Sequence, residues 1–207
     1  AFEGGRISCG MRAGSGAIHR VDRLGRGAVC QVIGGGPAQG ICGSGLVDAI
    51  ACALDAGHLA SNGRLRTPQA GIRLSNSLFL TQRDVRELQL AKGAIAGGLH
   101  LLREVAGITA LERIHLAGAF GNYVREASAR RIGLLPGARD SHGSCVHAAG
   151  NAALRGARLL LLQPSNRDHL LQALRSRLTH VELASLPGFQ DAFVDALTFP
   201  ETPSSDD

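Results

Sequence analysis

The sequence predicts an α/β fold, a mixed sheet flanked by helices, on three observations. Three short β-type runs each empty into a small-residue loop that opens a helix: Gly40-Ile41-Cys42-Gly43-Ser44-Gly45, Leu116-Ala117-Gly118-Ala119-Phe120-Gly121-Asn122-Tyr123, and His147-Ala148-Ala149-Gly150-Asn151-Ala152-Ala153. Strand-like and helix-like stretches alternate along the chain, the pattern of helices laid on a sheet. The 207 residues are 44% hydrophobic and 19% charged, enough apolar material for one good core or two small lobes.

Residues 1–33 read as loops and short strands, with alternation over Ala28–Ile33, and Gly34–Gly40 as a connector. A helix is predicted from Gly43 to Gly57, with Leu46, Ala49, Ile50, Ala53 and Leu54 on one face and Gly57 at its end. Residues 60–77 read as a loop or hairpin with a strand near Gly71–Leu74. Leu78–Leu80 is a short strand, and Thr81 with Asp84 has the spacing of a capping box. The helix it opens is the longest, to Ala106, with Val85, Leu88, Ala91, Ile95, Leu99 and Leu102 at helical spacing and Gly107 as the stop. Then follow strand 113–116, a helix over 126–132, a break at Leu134–Gly137 and a strand near Ser144–His147. Helices 150–163 and 166–178, strand Thr179–Leu183 and helix 188–197 complete the order. No repeat of 20–50 residues is present.

The junctions carry the candidate chemistry. Glycine lets backbone come close to a flat or anionic ligand, and a helix start offers unpaired N–H groups. Gly43, Ser44 and Gly45 are therefore candidate phosphate contacts, or a plain helix start capped by Ser44. Gly118, Ala119, Gly121 and Asn122 are candidate contacts to a nucleoside, or an ordinary strand-to-helix turn. His142, Cys145 and His147 could bind zinc, but no fourth ligand is evident, and the reading taken is a buried strand with no metal. Cys9 and Cys42 read as small buried residues.

Composition excludes several classes. The net charge is +5, but the arginines are scattered and no run of five basic residues occurs, so neither a nucleic-acid nor a membrane surface is indicated. Aromatics are 3% with no Trp, thin for base stacking. The five cysteines are odd in number and none is spaced C-x-x-C, against a disulfide framework or a resident iron–sulfur cluster and in favour of a cytoplasmic setting. The chain starts at Ala1 in mid-motif and reads as part of a longer polypeptide.

Taken in order, several stretches resemble the reductive activators of corrinoid proteins, ATP-dependent members of the acetate and sugar kinase, heat-shock cognate and actin superfamily. They are Ala1–Gly4 with Ile7–Met11, Gly40–Asp48, Leu80–Lys92, Leu116–Tyr123, Arg131–Pro136, Gly150–Ala157, and Phe189-Gln190 with Phe199-Pro200. The resemblance implies an actin-like, ribonuclease H-like ATPase lobe over residues 1–200 with a flexible tail over 201–207. It implies a parent with an N-terminal [2Fe–2S] domain and a two-lobed ATPase that binds ATP or ADP with Mg²⁺. That parent would act as a homodimer on a corrinoid protein, returning cobalt from Co(II) to Co(I) for methyl transfer. Glu87 and Lys92, the single lysine, would contact ribose and base from the long helix, with Lys92 facing Gly118–Asn122 across a groove; Gln89 is a weaker candidate. The helix Gly150–Ala157 would be a close-packed connector between lobes. The ferredoxin cysteines and the Asp-Gly-Thr-type phosphate loops of that family are not in this chain, so catalytic residues are left unassigned and the isolated chain is expected to be inactive. A half of a sugar or acetate-type kinase, or a non-catalytic dimerisation lobe, are the competing readings.

Overall fold

The computed structural model describes residues 1–25, 27–66, 71–136 and 145–201. At its centre lies β1 (Ala17–Arg23), paired antiparallel with β2 (Val29–Val32) and parallel with β3 (Gly40–Ile41), a small mixed sheet. From β3 the chain passes into α1 (Gly43–Asp55), which packs on β1 and is buried on nearly every side, from Gly43 through Leu54 save Cys52. A helix apolar all round belongs in a core. Its end is a Schellman motif: Gly57, at φ +70, donates to Leu54 O, and His58 donates to Ala53 O.

A hairpin follows, β4 (Ile72–Arg73) with β5 (Phe79–Leu80), and then α2 (Gln82–Val105). The capping box forms as its spacing predicts: Thr81 Oγ1 accepts from Asp84 N–H, and Asp84 Oδ2 accepts from Thr81 N–H at 2.8 Å. Asp84 also accepts from the backbone and hydroxyl of Ser8. Burial by itself would raise its pKa, but these bonds from Ser8 and Thr81 outweigh it and hold the carboxyl below the usual value. Gly107 and Ile108 close α2 with the same Schellman pattern.

The face that α2 buries differs from the predicted one beyond Leu88. Ile95 and Leu102 are exposed, and the buried positions are Gln89, Lys92, Gly93, Gly97, Gly98 and Leu101. The reason is a glycine seam. A Cβ on Gly97 would meet Ala192 O at 2.9 Å, because α7 (Phe189–Asp195) lies directly against α2 there.

Beyond α2 come β6 (Arg113–Ala117), α3 (Gly118–Tyr123), α4 (Glu126–Arg131), β7 (Cys145–Gly150), α5 (Ala152–Leu162) and α6 (Arg167–Arg175). Strands β6 and β7 pair in parallel as a separate two-stranded sheet. Ile114, Leu116 and Val146 pack from it against the core, while α4 sets Ser128 and Ala129 against α1. The strand expected at Thr179–Leu183 does not form. Its last residue opens a 3-10 turn, Leu183–Ser185, and Leu183 is used as a side chain against Gly98 rather than as a ladder partner. The helix expected as a connector, α5, begins at Ala152, capped by Asn151, and none of its residues is buried within this chain. No helix among the described residues is long and apolar enough to cross a membrane. Gly137, Ser144 and all of the expected tail except Glu201 lie outside the described residues.

Candidate functional site

The first wall of the candidate site is the start of α1. Cys42 is its N-cap, extended at φ −92 and ψ 173, and no side chain caps the helix. The first-turn N–H groups therefore have no side-chain cap. The glycines here serve the packing of the chain itself. A Cβ on Gly43 would lie 1.9 Å from Phe2 O, and one on Gly45 would lie 2.3 Å from Ile18 O. Ser44 does not cap; its hydroxyl donates to His19 O at 2.9 Å, beside the Cys42 thiol.

The second wall is the turn from β6 into α3. Ala117 is extended, and Gly118 takes a left-handed φ of +87 with open space where a Cβ would point. That conformation is one that glycine adopts without strain. Gly121 faces the other way: a Cβ on it would meet the Leu116 carbonyl carbon at 2.9 Å. Asn122 Oδ1 accepts from Gly150 N–H at 3.1 Å, tying the end of β7 to α3. Between the walls lies a cleft of about 540 Å³ that brings Gly43 and Ser44 together with Gly118 and Ala119. Phe2 and Phe120, with ring centroids 4.7 Å apart, both border it. Arg12 is its one cation and Glu3 its one carboxylate among the described residues.

A family model described as the C-terminal domain of RACo, the ASKHA domain, matches residues 1–206. The chain belongs to that family. Its α/β fold is accordingly of the ASKHA, actin-like type. The corrinoid activation enzyme RamQ of Eubacterium limosum is 36% identical over 222 residues, covering 94% of this chain and 37% of the relative. The [Co(II) methylated amine-specific corrinoid protein] reductase of Methanosarcina barkeri is 31% identical over 165 residues, covering 78% of this chain and 29% of the relative. A solved reductive activator for corrinoid, iron–sulfur protein superposes with a TM-score of 0.82 at 32% identity, over 97% of this chain and 35% of that one. The chain thus spans about a third of the length of the relatives it matches.

In this RACo-type domain the residues expected on the long helix stand apart from the cleft, and none of its lining comes from α2. Lys92 is a correction to the sequence reading. Its Nζ is buried and donates to Ala196 O at 2.5 Å and Thr198 O at 2.8 Å, over the ring of Phe199. Burial pulls its pKa down to about 8. It fastens the segment after α7, and Gln89 beside it donates to Leu197 O. Glu87 is half-buried and pairs at 3.8 Å with Arg6.

The thiols behave as small packing groups: burial, with Asp84 adding to it, raises the pKa of Cys9, and Cys42 donates to Ile18 O. His115 and His147 stack at 5.5 Å across the β6–β7 sheet, but no group of three or more His, Cys, Asp or Glu converges among the described residues. His142 and the side chain of Cys145 lie outside them. A larger groove of about 1080 Å³, between the C-terminal half of α2 and Gly133–Pro136, includes none of the candidate glycine loops.

The structure adds two residues that the sequence reading gave no role, Asp48 and Arg125. Asp48 is buried within α1 and Arg125 follows α3, and their side chains meet with Nε 2.9 Å from Oδ1. The legible signal was Asp48 itself, an acid set between Val47 and Ala49 in the middle of a mostly apolar helix, where burial without a partner is costly.

Proposed function

We propose that this chain is the C-terminal ATPase-type lobe, over residues 1–200, of a reductive activator that returns a Co(II) corrinoid protein to Co(I) at the expense of ATP. The reading is carried by the family match over residues 1–206, whose two glycine loops line one cleft. It is supported by the two relatives described above, a corrinoid activation enzyme and a corrinoid protein reductase.

The cleft fits the nucleoside and phosphate parts of ATP or ADP. Gly118 leaves open space beside the Phe2–Phe120 pair for a flat base, and the uncapped start of α1 offers N–H groups to phosphate oxygens. Mg²⁺ would come with the phosphates and would neutralise their charge. Glu3 is the one carboxylate in this lining among the described residues, and the remaining metal and phosphate contacts would come from the other lobe. Reducing Co(II) is uphill, and a nucleotide that binds two conformations of the activator unequally supplies the bias. The electron would come from a [2Fe–2S] cluster elsewhere in the activator, the partner would be a cytoplasmic corrinoid protein, and the activator would work as a homodimer.

The test is Gly118→Val in the activator that carries this chain. Valine is strained at φ +87 and would project into the cleft. Nucleotide affinity should fall at least tenfold, and ATP-dependent Co(II) reduction, followed by the visible spectrum of the corrinoid, should fall with it. Wild-type affinity in a folded variant would refute the assignment of the cleft.

A further inference from the structure

We infer that the ion pair between the buried Asp48 and the half-buried Arg125 is the positioning device that sets the spacing of the two cleft walls. The inference rests on the nucleotide reading of that cleft and adds residues which do not touch it. Asp48 lies about one turn beyond Ser44 on α1 and is 1% exposed. Its Oδ1 accepts from Arg125 Nε at 2.9 Å, and its Oδ2 accepts from Val21 N–H at 3.3 Å. Arg125 stands two residues after Tyr123, at the extended N-cap of α4. Its other nitrogens donate to Val21 O at 2.5 Å and to Asp22 Oδ1 at 3.2 Å. Asp22 is in turn held by Arg20 and Gln31.

One planar guanidinium therefore binds strand β1 and helix α1 while it terminates the segment that contains Gly118–Tyr123. The first wall begins α1 and the second wall precedes Arg125 by only a few residues. Rotation of α1 against α4 would change the distance between the walls, and this fork prevents it. A lysine at 125 would supply the charge but not three directed donors in a plane.

The same two helices are joined again about two turns away, where Arg131 Nε meets Asp55 Oδ1 at 2.6 Å. The two pairs differ in their carboxylates, 59% exposed at Asp55 against 2% at Asp48, while both guanidiniums are partly exposed, 18% at Arg131 and 33% at Arg125. Holding α1 to α4 is thus already served at low desolvation cost. Burying the Asp48 carboxylate is expensive, and the fork that satisfies it yields a fixed geometry rather than extra adhesion.

The experiment compares Arg125→Lys, Asp48→Asn and Arg131→Lys in the activator that carries this chain. Thermal midpoints, ADP affinity by calorimetry, and KM and kcat for ATP are all read. The inference expects Arg125→Lys to weaken ADP at least tenfold and to raise KM for ATP more than it lowers kcat. Arg131→Lys, at a comparable drop in midpoint, should keep ADP affinity within about twofold. Asp48→Asn should follow Arg125→Lys, and if Asp48→Asn does not fold, Arg125→Lys decides alone. Arg125→Lys with wild-type ADP affinity, or Arg125→Lys and Arg131→Lys losing affinity in proportion to their midpoints, would overturn the inference and leave the cleft assignment intact. If Gly118→Val binds ADP normally, the cleft assignment fails and the inference falls with it.

Discussion

Gly121→Ala separates packing from ligand contact at the second cleft wall. The residue is buried in α3, and an added Cβ would lie 2.9 Å from the Leu116 carbonyl carbon, 3.0 Å from Leu116 Cβ and 3.2 Å from its oxygen. Two of those three atoms are backbone, so relief requires α3 to lift from β6. Overpacking of this kind costs about 1–3 kcal/mol. Against it stands a helix-propensity gain of at most about 1 kcal/mol for replacing glycine by alanine. A helix of six residues realises only part of that gain. The net expectation is a loss of about 1–2 kcal/mol, or roughly 2–8 °C in the midpoint of a domain of this size. Because Gly121 does not line the cleft, any loss of nucleotide affinity should arise through the displaced α3 and accompany that loss of stability. Urea unfolding by circular dichroism and nucleotide titration of the same preparation decide the matter. Unchanged stability with a tenfold loss of affinity would show that Gly121 faces the ligand and that the inward packing is wrong.

Two further outcomes follow from the same geometry. Gly97→Ala should destabilise by about 1–2 kcal/mol, because its Cβ would meet the Ala192 carbonyl oxygen at 2.9 Å, whereas Gly156→Ala on α5, with nothing within 4 Å, should stabilise by about 0.5–1 kcal/mol. Equal effects in urea unfolding would contradict the glycine seam between α2 and α7. Lys92 has a native pKa of about 8 against an ordinary 10.5. Between those values the unfolded chain holds a proton that the native chain has released, so this group adds stability as pH rises through about 8 to 10.5. Lys92→Met should lack that rise when urea midpoints are compared at pH 7.5, 9 and 10.5, and parallel pH profiles for the two proteins would refute a buried lysine.

Signals that act over a few residues were readable in the chain. Thr81 and Asp84 announce the start of α2 because the capping box closes within one turn, and Gly107 announces its end because the Schellman turn needs a left-handed residue just past the cap. The burying face of α2 was not readable. Apolar periodicity counts side chains, and the seam on α7 is made by Gly93 and Gly97, which have none, leaving Ile95 outside. Thr179–Leu183 has strand-like composition but no partner ladder, a matter of tertiary structure. At the candidate site the glycine loops stood out, but not the direction in which each glycine is crowded. Gly43, Gly45 and Gly121 press on their own chain, and of these glycines Gly118 opens outward. Lys92 drew notice as the single lysine, while its carbonyl partners, Ala196 and Thr198, lie over a hundred residues away.

The cleft walls rest on unequal foundations. Cys42–Ser44 begin a helix sunk in the core, whereas Ala117–Phe120 continue from a two-stranded sheet whose described residues are half-buried or exposed, and which leads into a helix with no buried residue. Amide protons of α1 should exchange with solvent only when the whole domain opens, and those of β6 and β7 through smaller excursions. The second wall is then the more readily opened of the two, although its spacing from α1 is held at Arg125. A molecule seated in it would register as slower deuterium uptake along β6 and β7 with α1 unchanged, so occupancy could be read from the yielding wall alone.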